Sequence, residues 1–131
     1  MQLLDPDIQK TRAYVIDELA RQLIARALDQ QVYDLRFAGD GIEALNQLRR
    51  VRPDVILMDV RMPGLDGVSL TQRLKAEPEL ARIPVILMTA DSSREAMTSS
   101  IDVGAAAFLL KPYTREALTS KLAKVLGLQA A

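Results

Sequence analysis

The sequence predicts an α/β fold, in which helices cover both faces of a parallel sheet. Apolar runs of strand length alternate with segments of helical periodicity, and this alternation is typical of repeated βα units. The two clearest strands, Asp54–Asp59 and Ile83–Thr89, are almost continuously apolar. Because continuous apolarity requires cover on both faces, these strands are predicted to lie in the middle of a doubly wound sheet.

Two weaker strands and four helices extend this pattern through the rest of the chain. The weaker strands are Val32–Phe37 and Ala106–Leu110. Apolar residues with helical spacing follow the strands, and they are Ile42, Ala44, Leu45 and Leu48; Val68, Leu70 and Leu74; Met97 and Ile101; and Leu118, Leu122 and Val125. Turn-forming pairs such as Asp40-Gly41 and Asp66-Gly67 stand at the proposed boundaries. The 131 residues are expected to form a single domain, with 127–131 as a frayed tail.

The first thirty residues allow two interpretations. In the favoured one, Gln2–Leu4 is the first strand and a long helix runs from about Ile8 to Leu28. The apolar residues of that helix would share one face, and they are Ile8, Val15, Ile16, Leu19, Leu23 and Ala27. In the alternative, Ala13–Ile16 is the strand and Met1–Lys10 is a tail. The unbroken helical phase favours the first interpretation.

Composition excludes several classes of function. Seventeen Lys and Arg residues balance seventeen Asp and Glu residues, so the excess positive charge typical of nucleic-acid and membrane-surface binding is absent. The chain has no Cys and no His, which excludes disulfides, thiolate metal sites, Ser-His-Asp triads and phosphohistidine on this chain. The apolar runs fall far short of the ~20 residues that span a bilayer, and the first residues include Asp5 and Asp7 instead of a basic leader. A cytoplasmic location, without membrane or direct nucleic-acid contact, is expected.

Candidate functional residues stand at the ends of the predicted strands. Ligands of open parallel sheets bind outside the carboxyl ends of the strands. Asp59, Thr89 and Lys111 end or follow the third, fourth and fifth strands, and Asp5 and Asp7 follow the first strand in the favoured interpretation. Taken singly, such residues are more often turn formers, helix caps or solvated surface groups. Together they place acids, a hydroxyl and a lysine at one edge of the sheet.

This combination of groups suits phosphoryl transfer. A carboxylate can attack phosphorus to form an acyl phosphate, provided that cations offset the repulsion between the two anions. A magnesium ion held by carboxylates, a backbone carbonyl and waters would supply part of that positive charge, and Lys111 would supply the rest. The Thr89 hydroxyl can donate a hydrogen bond to a phosphoryl oxygen.

The residues resemble the receiver domains of bacterial response regulators, especially those of the stand-alone chemotaxis type. The resemblance covers residues 32 to 126, and it rests on PDVILMDVRMPGLDG from Pro53, IPVILMTA from Ile83 and GAAAFLLKPY from Gly104. It also includes Asp40-Gly41 and the EAL that starts at Glu43. The order and intervals of the acid, hydroxyl and lysine match those of the family.

The resemblance implies a role for each matching residue. Asp59 corresponds to the phosphorylated aspartate, Thr89 to the switch hydroxyl and Lys111 to the lysine that pairs with the phosphoryl group. Phe108 corresponds to the switch aromatic residue, whose ring turns inward when the hydroxyl moves; by itself it would be interpreted as a core residue. Ala90 lies where a small residue leaves access to the acyl phosphate. The family also implies a cis peptide bond between Lys111 and Pro112.

The expected magnesium site shows one departure from the family. Arg61 lies where the family offers a backbone carbonyl to the ion, beside the carboxylate of Asp59. The family has two adjacent acids after the first strand, whereas the favoured interpretation places Asp5-Pro6-Asp7 there. Asp5 or Asp7 could bind the ion from a shifted register, Asp17-Glu18 could be the acid pair, or metal binding could be weakened. The favoured first helix is also about two turns longer than that of the family.

The resemblance implies a five-stranded sheet of flavodoxin-like order 2-1-3-4-5 with five helices. Its function would be to accept a phosphoryl group from a partner histidine kinase or phosphotransfer protein, and then to change a surface formed by helix 4, strand 5 and helix 5 for a downstream protein target. The chain would be a signalling domain, with at most slow self-catalysed phosphorylation and dephosphorylation. One alternative is a pseudo-receiver that docks or dimerises without phosphorylation, a role favoured by Pro6. Another is a phosphoaspartate-type phosphohydrolase, which Arg61 disfavours because such enzymes usually place a second acid there.

Overall fold

Short strands rich in aliphatic residues form the middle layer of the protein. The computed structural model describes residues 10–17, 21–62, 64–91 and 93–127. Within them, the strands are β1 (Thr11–Ile16), β2 (Tyr33–Ala38), β3 (Val55–Asp59), β4 (Val85–Thr89) and β5 (Ala107–Leu110). All neighbouring strands pair in parallel, in the order β2-β1-β3-β4-β5. The flavodoxin-like sheet predicted from the sequence is confirmed.

Helices cover both faces of this sheet. They are α1 (Arg21–Ala27), α2 (Gly41–Val51), α3 (Gly67–Ala76), α4 (Arg94–Asp102) and α5 (Arg115–Leu126). Alternate residues of the strands point to opposite faces and divide the core into two clusters. One cluster packs α1 and α5 against residues such as Val15 and Leu57, and the other packs α2 and α3 against residues such as Ile16 and Met58.

Continuous burial identifies the central strands. Ala13–Ile16, Val55–Met58 and Val85–Met88 have no exposed surface. Strands that lie between two neighbours and under helices on both faces gain most from apolar side chains at every position. The prediction that the third and fourth strands occupy the middle of the sheet is therefore confirmed.

The favoured interpretation of the N-terminal region is wrong. The predicted helix from Ile8 to Leu28 is interrupted by β1, which begins at Thr11 and pairs with both β2 and β3. Only Arg21–Ala27 is helical in the described part of that range. The proposed strand Gln2–Leu4 lies outside the described residues. The alternative strand, Ala13–Ile16, is the one observed, because a fully buried position between two strands suits this apolar run better than one face of a surface helix.

Three apolar residues that were predicted to face the core are exposed instead. Leu23, Ile42 and Ile101 have 67%, 64% and 67% of their surface exposed. In α4, Ser100 is the buried side chain, and its hydroxyl donates to the backbone carbonyl of Ala96. Helical spacing alone was misleading in these short helices, because a helix of two or three turns has few residues with which to define its buried face.

Side-chain caps set where α2 and α3 begin. Asp40 accepts a hydrogen bond from the Glu43 amide at 2.8 Å, and Asp66 accepts one from the Ser69 amide at 2.7 Å. Each cap satisfies an amide that has no partner within its helix. The boundaries predicted at Asp40-Gly41 and Asp66-Gly67 are confirmed. Among the described residues, none of the helices has the length and apolar character needed to cross a membrane.

Candidate active site

Four polar residues stand where the strands reach the carboxyl edge of the sheet. Asp17 follows β1, Asp59 ends β3, Thr89 ends β4 and Lys111 follows β5. The strand register brings them level, because Ile16 pairs with Met58 and Thr89 pairs with Leu110. The parallel topology therefore gathers residues that are far apart in the chain.

Lys111 forms ion pairs with both acids at this edge of the sheet. Its ammonium nitrogen lies 2.6 Å from Oδ2 of Asp59 and 3.2 Å from Oδ2 of Asp17. The Asp17 side chain is only 3% exposed, and that of Asp59 is 17% exposed. Two carboxylates in a half-buried site would repel each other, so the shared ammonium group offsets their negative charge.

The charge of Lys111 is maintained by these contacts. Burial disfavours the charged ammonium, but the hydrogen bond to Asp59 and the attraction of Asp17 outweigh it, so the pKa of Lys111 lies above its ordinary value. Lys111 is therefore protonated at neutral pH. A permanent cation beside a carboxylate is what an incoming phosphate group requires.

Both oxygens of the Asp59 carboxylate have hydrogen-bond donors. Oδ1 accepts from the backbone N–H of Arg61 at 3.0 Å, and Oδ2 accepts from Lys111. The bond from Arg61 closes the two-residue turn that Asp side chains commonly form. The sequence had suggested a role for the carbonyl of Arg61 but not for its amide, although an Asp at the start of a loop is a signal for such a turn.

The Thr89 hydroxyl is buried beside this site. Thr89 is 5% exposed, and its Oγ1 accepts a hydrogen bond from the backbone N–H of Asp91 at 3.0 Å. The backbone N–H of Lys111 donates to the Thr89 carbonyl at 2.8 Å. The hydroxyl proton can still be donated to another acceptor. The amide contact from Asp91 was also not foreseen from the sequence.

Phe108 lies on the side of the sheet that faces α2 and α3. Its ring is half-buried and packs against that core cluster. The ammonium nitrogen of Lys121 in α5 is 5.8 Å from the ring centroid, within the range of a cation–π contact. The ring is thus neither fully enclosed nor free in solvent.

A cavity of about 510 Å³ adjoins Lys111. Its lining includes Leu23 and Ala27 from α1, Ala90 after β4, and Pro112 and Tyr113 after β5. Ala90, for which the family resemblance implied a role in access to the site, is exposed. The peptide bond between Lys111 and Pro112 is cis, as the family resemblance implied.

The acids near Lys111 are suited to one divalent cation. Asp17 and Asp59 offer carboxylate oxygens, the ligands that Mg²⁺ prefers, and backbone carbonyl groups and waters can complete its shell. Among the described residues, no three acids cluster as a ready-made metal site. Asp5, Asp7 and Glu18 lie outside the described residues. Because β1 ends at Ile16, Asp17 holds the position after the first strand that Asp5 and Asp7 had been expected to hold.

The chain is similar to proteins of known type over most of its length. Residues 16–123 match the family described as response regulator receiver domain. The response regulator MprA of Mycobacterium leprae is 33% identical over 110 residues, which are 84% of this chain and 47% of MprA. The chain thus spans about half the length of this curated relative.

Two solved structures have the same fold. The chemotaxis response regulator CheY4 of Vibrio cholerae is 29% identical, with a TM-score of 0.84 over 90% of this chain and 100% of CheY4. The receiver domain of the sensor histidine kinase PA1611 from Pseudomonas aeruginosa is 29% identical, with a TM-score of 0.82 over 91% of this chain and 99% of that domain. The PA1611 structure has a magnesium ion coordinated in its active site cleft.

Proposed function

The chain belongs to the family of response regulator receiver domains, and we propose that it accepts a phosphoryl group on the carboxylate of Asp59. The observation that supports this most strongly is the contact of Lys111 with both Asp59 and Asp17, at 2.6 and 3.2 Å. It joins a partly exposed nucleophile to a permanent cation. The fold is that of a two-component signalling domain, and slow self-catalysed gain and loss of the phosphoryl group is the most catalysis we propose.

The reaction would be an in-line transfer to the Asp59 carboxylate. One carboxylate oxygen attacks phosphorus, a new O–P bond forms, and the P–N bond of a phosphohistidine breaks. The electron pair of that bond leaves with the imidazole of the donor. We propose that the donor histidine lies outside these 131 residues, on a histidine kinase or phosphotransfer protein, because they contain none.

Lys111 would stabilise the charge that the transfer brings in. Before transfer it pairs with Asp59 at 2.6 Å, and afterwards it can pair with a phosphoryl oxygen at the same edge. When bound by Asp17, Asp59 and the carbonyl of Arg61, Mg²⁺ would add Lewis-acid stabilisation of the phosphoryl oxygens.

Thr89 and Phe108 would carry the signal away from the site. The Thr89 hydroxyl now accepts from the Asp91 amide, and we propose that it turns to donate to the phosphoryl group. The half-buried ring of Phe108 would then move inward and alter the surface of α4, β5 and α5. Ile101 and Leu110 are exposed on that surface, as a protein-binding face requires.

The alternatives have lost support. The pseudo-receiver interpretation depended on Pro6 within the acid pair, but the first central strand ends at Ile16 and is followed by Asp17. A phosphoaspartate-type phosphohydrolase usually has a second acid two residues after the nucleophile, where this chain has Arg61. Phosphoacceptance therefore accounts for the site better than either.

The experiment is labelling by a small acyl phosphate with and without Mg²⁺. The parent protein should gain a phosphoryl group that is labile to base, and only when Mg²⁺ is present. Asp59→Asn should gain none, whereas Asp34→Asn, an acid on β2 that pairs with Arg36, should label as the parent does. A folded parent that takes up no label under these conditions would instead favour the pseudo-receiver.

A further inference from the structure

Two glycines hold the loop between β3 and α3 against the carboxyl edge of the sheet. Gly67 is the first residue of α3, and Gly41 is the first residue of α2. Neither has a positive φ angle, so the backbone at both positions suits any residue and alanine would be the better helix former. The reason for glycine must lie in what surrounds these positions.

The surroundings of Gly67 leave no space for a side chain. A Cβ atom at Gly67 would lie 2.5 Å from the carbonyl oxygen of Asp59 and 3.0 Å from Cα of Val60. Both neighbours are backbone atoms, which cannot turn aside as a flexible side chain can. The amide of Gly67 also donates to the carbonyl of Val60 at 2.8 Å. The first turn of α3 therefore lies directly against the peptide that carries Asp59.

Gly41 lies close to the same loop at a second point. A Cβ atom at Gly41 would lie 3.1 Å from the carbonyl oxygen of Leu65 and 3.3 Å from its Cβ. This contact is tight, but it leaves more room than the contact at Gly67. The start of α2 thus lies against the loop at Leu65, and the start of α3 lies against the end of β3 at Asp59.

We infer that Gly67, assisted by Gly41, is a positioning residue for Asp59. The inference rests on the proposed phosphoacceptor role. Asp59 needs its carboxylate oriented toward Lys111 at one oxygen and toward the Arg61 amide at the other. Both Asp59 and the Arg61 amide belong to the segment that lies against the start of α3. Buried Leu70, Thr71 and Leu74 anchor α3 to the core, and Asp59 is the last residue of the paired strand β3, so an added methyl group would force these two elements apart at the residue that carries the nucleophile.

The size of the expected effect follows from this displacement. Ordinary contact begins near 3.4 Å, so with a Cβ at 2.5 Å the backbones at Gly67 and Asp59 must separate by most of an ångström. Misplacement of a reacting group by about 1 Å can slow a reaction ~100-fold. Gly67→Ala should therefore lower the rate of Mg²⁺-dependent labelling by ~10- to 100-fold.

The experiment compares three Gly→Ala variants by labelling rate per folded molecule, with the folded fraction taken from urea unfolding curves. Gly64→Ala is the matched control. Gly64 is in the same loop at a φ of +79°, so alanine there is strained, yet among the described residues no atom outside the chain neighbours of Gly64 lies within 4 Å of the added atom. Gly64→Ala should lose stability but keep the labelling rate of the parent. Titration with Mg²⁺ alone gives a second readout, and Gly67→Ala should bind the ion more weakly than Gly64→Ala does.

The outcomes separate this inference from the proposed function. A parent that does not label refutes the function itself. A parent that labels alongside a folded Gly67→Ala with unchanged rate and Mg²⁺ affinity overturns the positioning role alone, as does an equal loss of rate in Gly64→Ala. If Gly67→Ala does not fold, Gly41→Ala decides. It should fold and label a few-fold more slowly than the parent, and an unchanged rate would overturn the inference.

Discussion

The ammonium group of Lys111 lies 2.6 Å from the carboxylate of Asp59, although 52 residues separate them in the chain. The same ammonium group contacts Asp17, 94 residues away. Four strands, β1, β3, β4 and β5, must adopt their correct order and register before these contacts can form.

Asp17→Asn should weaken Mg²⁺ binding. The substitution replaces a buried carboxylate by a neutral amide, and carboxylates are the ligands that bind Mg²⁺ most strongly. We expect a loss of at least ~10-fold in affinity, which is typical even of residues that only support a ligand. Isothermal titration calorimetry measures the affinity for Mg²⁺, and Asp34→Asn is the control. Equal affinity in the two variants would mean that Asp17 is not a ligand.

Lys111→Met should destabilise the fold at neutral pH. The methionine keeps most of the apolar stem but leaves Asp17 and Asp59 without their shared cation. We expect the free energy of unfolding to fall by ~1–2 kcal/mol, since the pair is only partly buried. Millimolar Mg²⁺ should restore part of this loss.

Lys124→Met is the control for Lys111→Met, because Lys124 is exposed on α5. Urea unfolding with and without Mg²⁺ measures the free energy of unfolding of both variants. If Lys111→Met were as stable as Lys124→Met, the two acids would not depend on the lysine for their charge balance.

Tyr14 should make the protein sensitive to alkaline pH. Burial, with a smaller contribution from the charge of Glu43, raises the pKa of Tyr14 from 10.0 to about 12. The neutral phenol is thus favoured in the folded state, so its contribution to stability is complete below pH 10 and is lost as the pH rises toward about 12. A shift of this size corresponds to ~2–3 kcal/mol.

The matching variant is Tyr14→Phe, which removes the ionisable group together with a hydrogen bond to Gln47. At neutral pH it should be less stable than the parent by ~1 kcal/mol. As the pH rises from 10 toward about 12, the difference in unfolding free energy between the parent and Tyr14→Phe should narrow and then reverse. Urea unfolding at a series of pH values measures the unfolding free energy of both proteins. A difference between them that stays constant with pH would contradict the assignment of the raised pKa to Tyr14.

Arg52→Gly should stabilise the protein. Arg52 ends α2 with φ 45° and ψ 75°, a left-handed conformation that glycine adopts without steric cost. Its ion pair with Glu79 is exposed on both sides and contributes little. We expect a net gain of ~0.5–1 kcal/mol in unfolding free energy. Glu79→Ala removes only the ion pair, so Arg52→Gly should be the more stable of these two variants in thermal unfolding.

Much of the sheet could be predicted because its strands are read from local composition. The runs at Asp54–Asp59 and Ile83–Thr89 are apolar at every buried position except Thr89, and the observed β3 and β4 lie within them. Such runs need cover on both faces, so they indicate a central place in the sheet as well as a strand. The order of the strands came from the family resemblance, since composition does not determine which strands are neighbours.

The first strand could not be predicted in the same way. Val15, Ile16 and Leu23 fit one face of a helix as well as they fit a strand followed by a short helix. What decides between them is pairing with β2 and β3, a long-range contact that local periodicity does not record. The continuous run Ala13–Ile16 followed by Asp17 was the available signal, since it resembles the strand that ends in Asp59.

The close contacts around the site could not be predicted from the sequence either. An Asp-Gly pair at Asp66-Gly67 indicates a helix start, but it does not reveal that the glycine lies against the carbonyl of Asp59. Likewise, the amide donors of Arg61 and Asp91 depend on the path of each loop. Residue types predicted which side chains would meet at the carboxyl edge of the sheet, whereas the backbone that orients those residues required coordinates.

Phosphorylation of Asp59 is tested most directly by finding which residue carries the phosphoryl group. The protein is phosphorylated with a small acyl phosphate and Mg²⁺, the aspartyl phosphate that forms is reduced with borohydride, and the peptides are sequenced by mass spectrometry. Reduction converts a phosphorylated aspartate into homoserine, so we predict homoserine at position 59 and unmodified Asp17. Homoserine at another acid, with Asp59 intact in a folded and labelled protein, would contradict it.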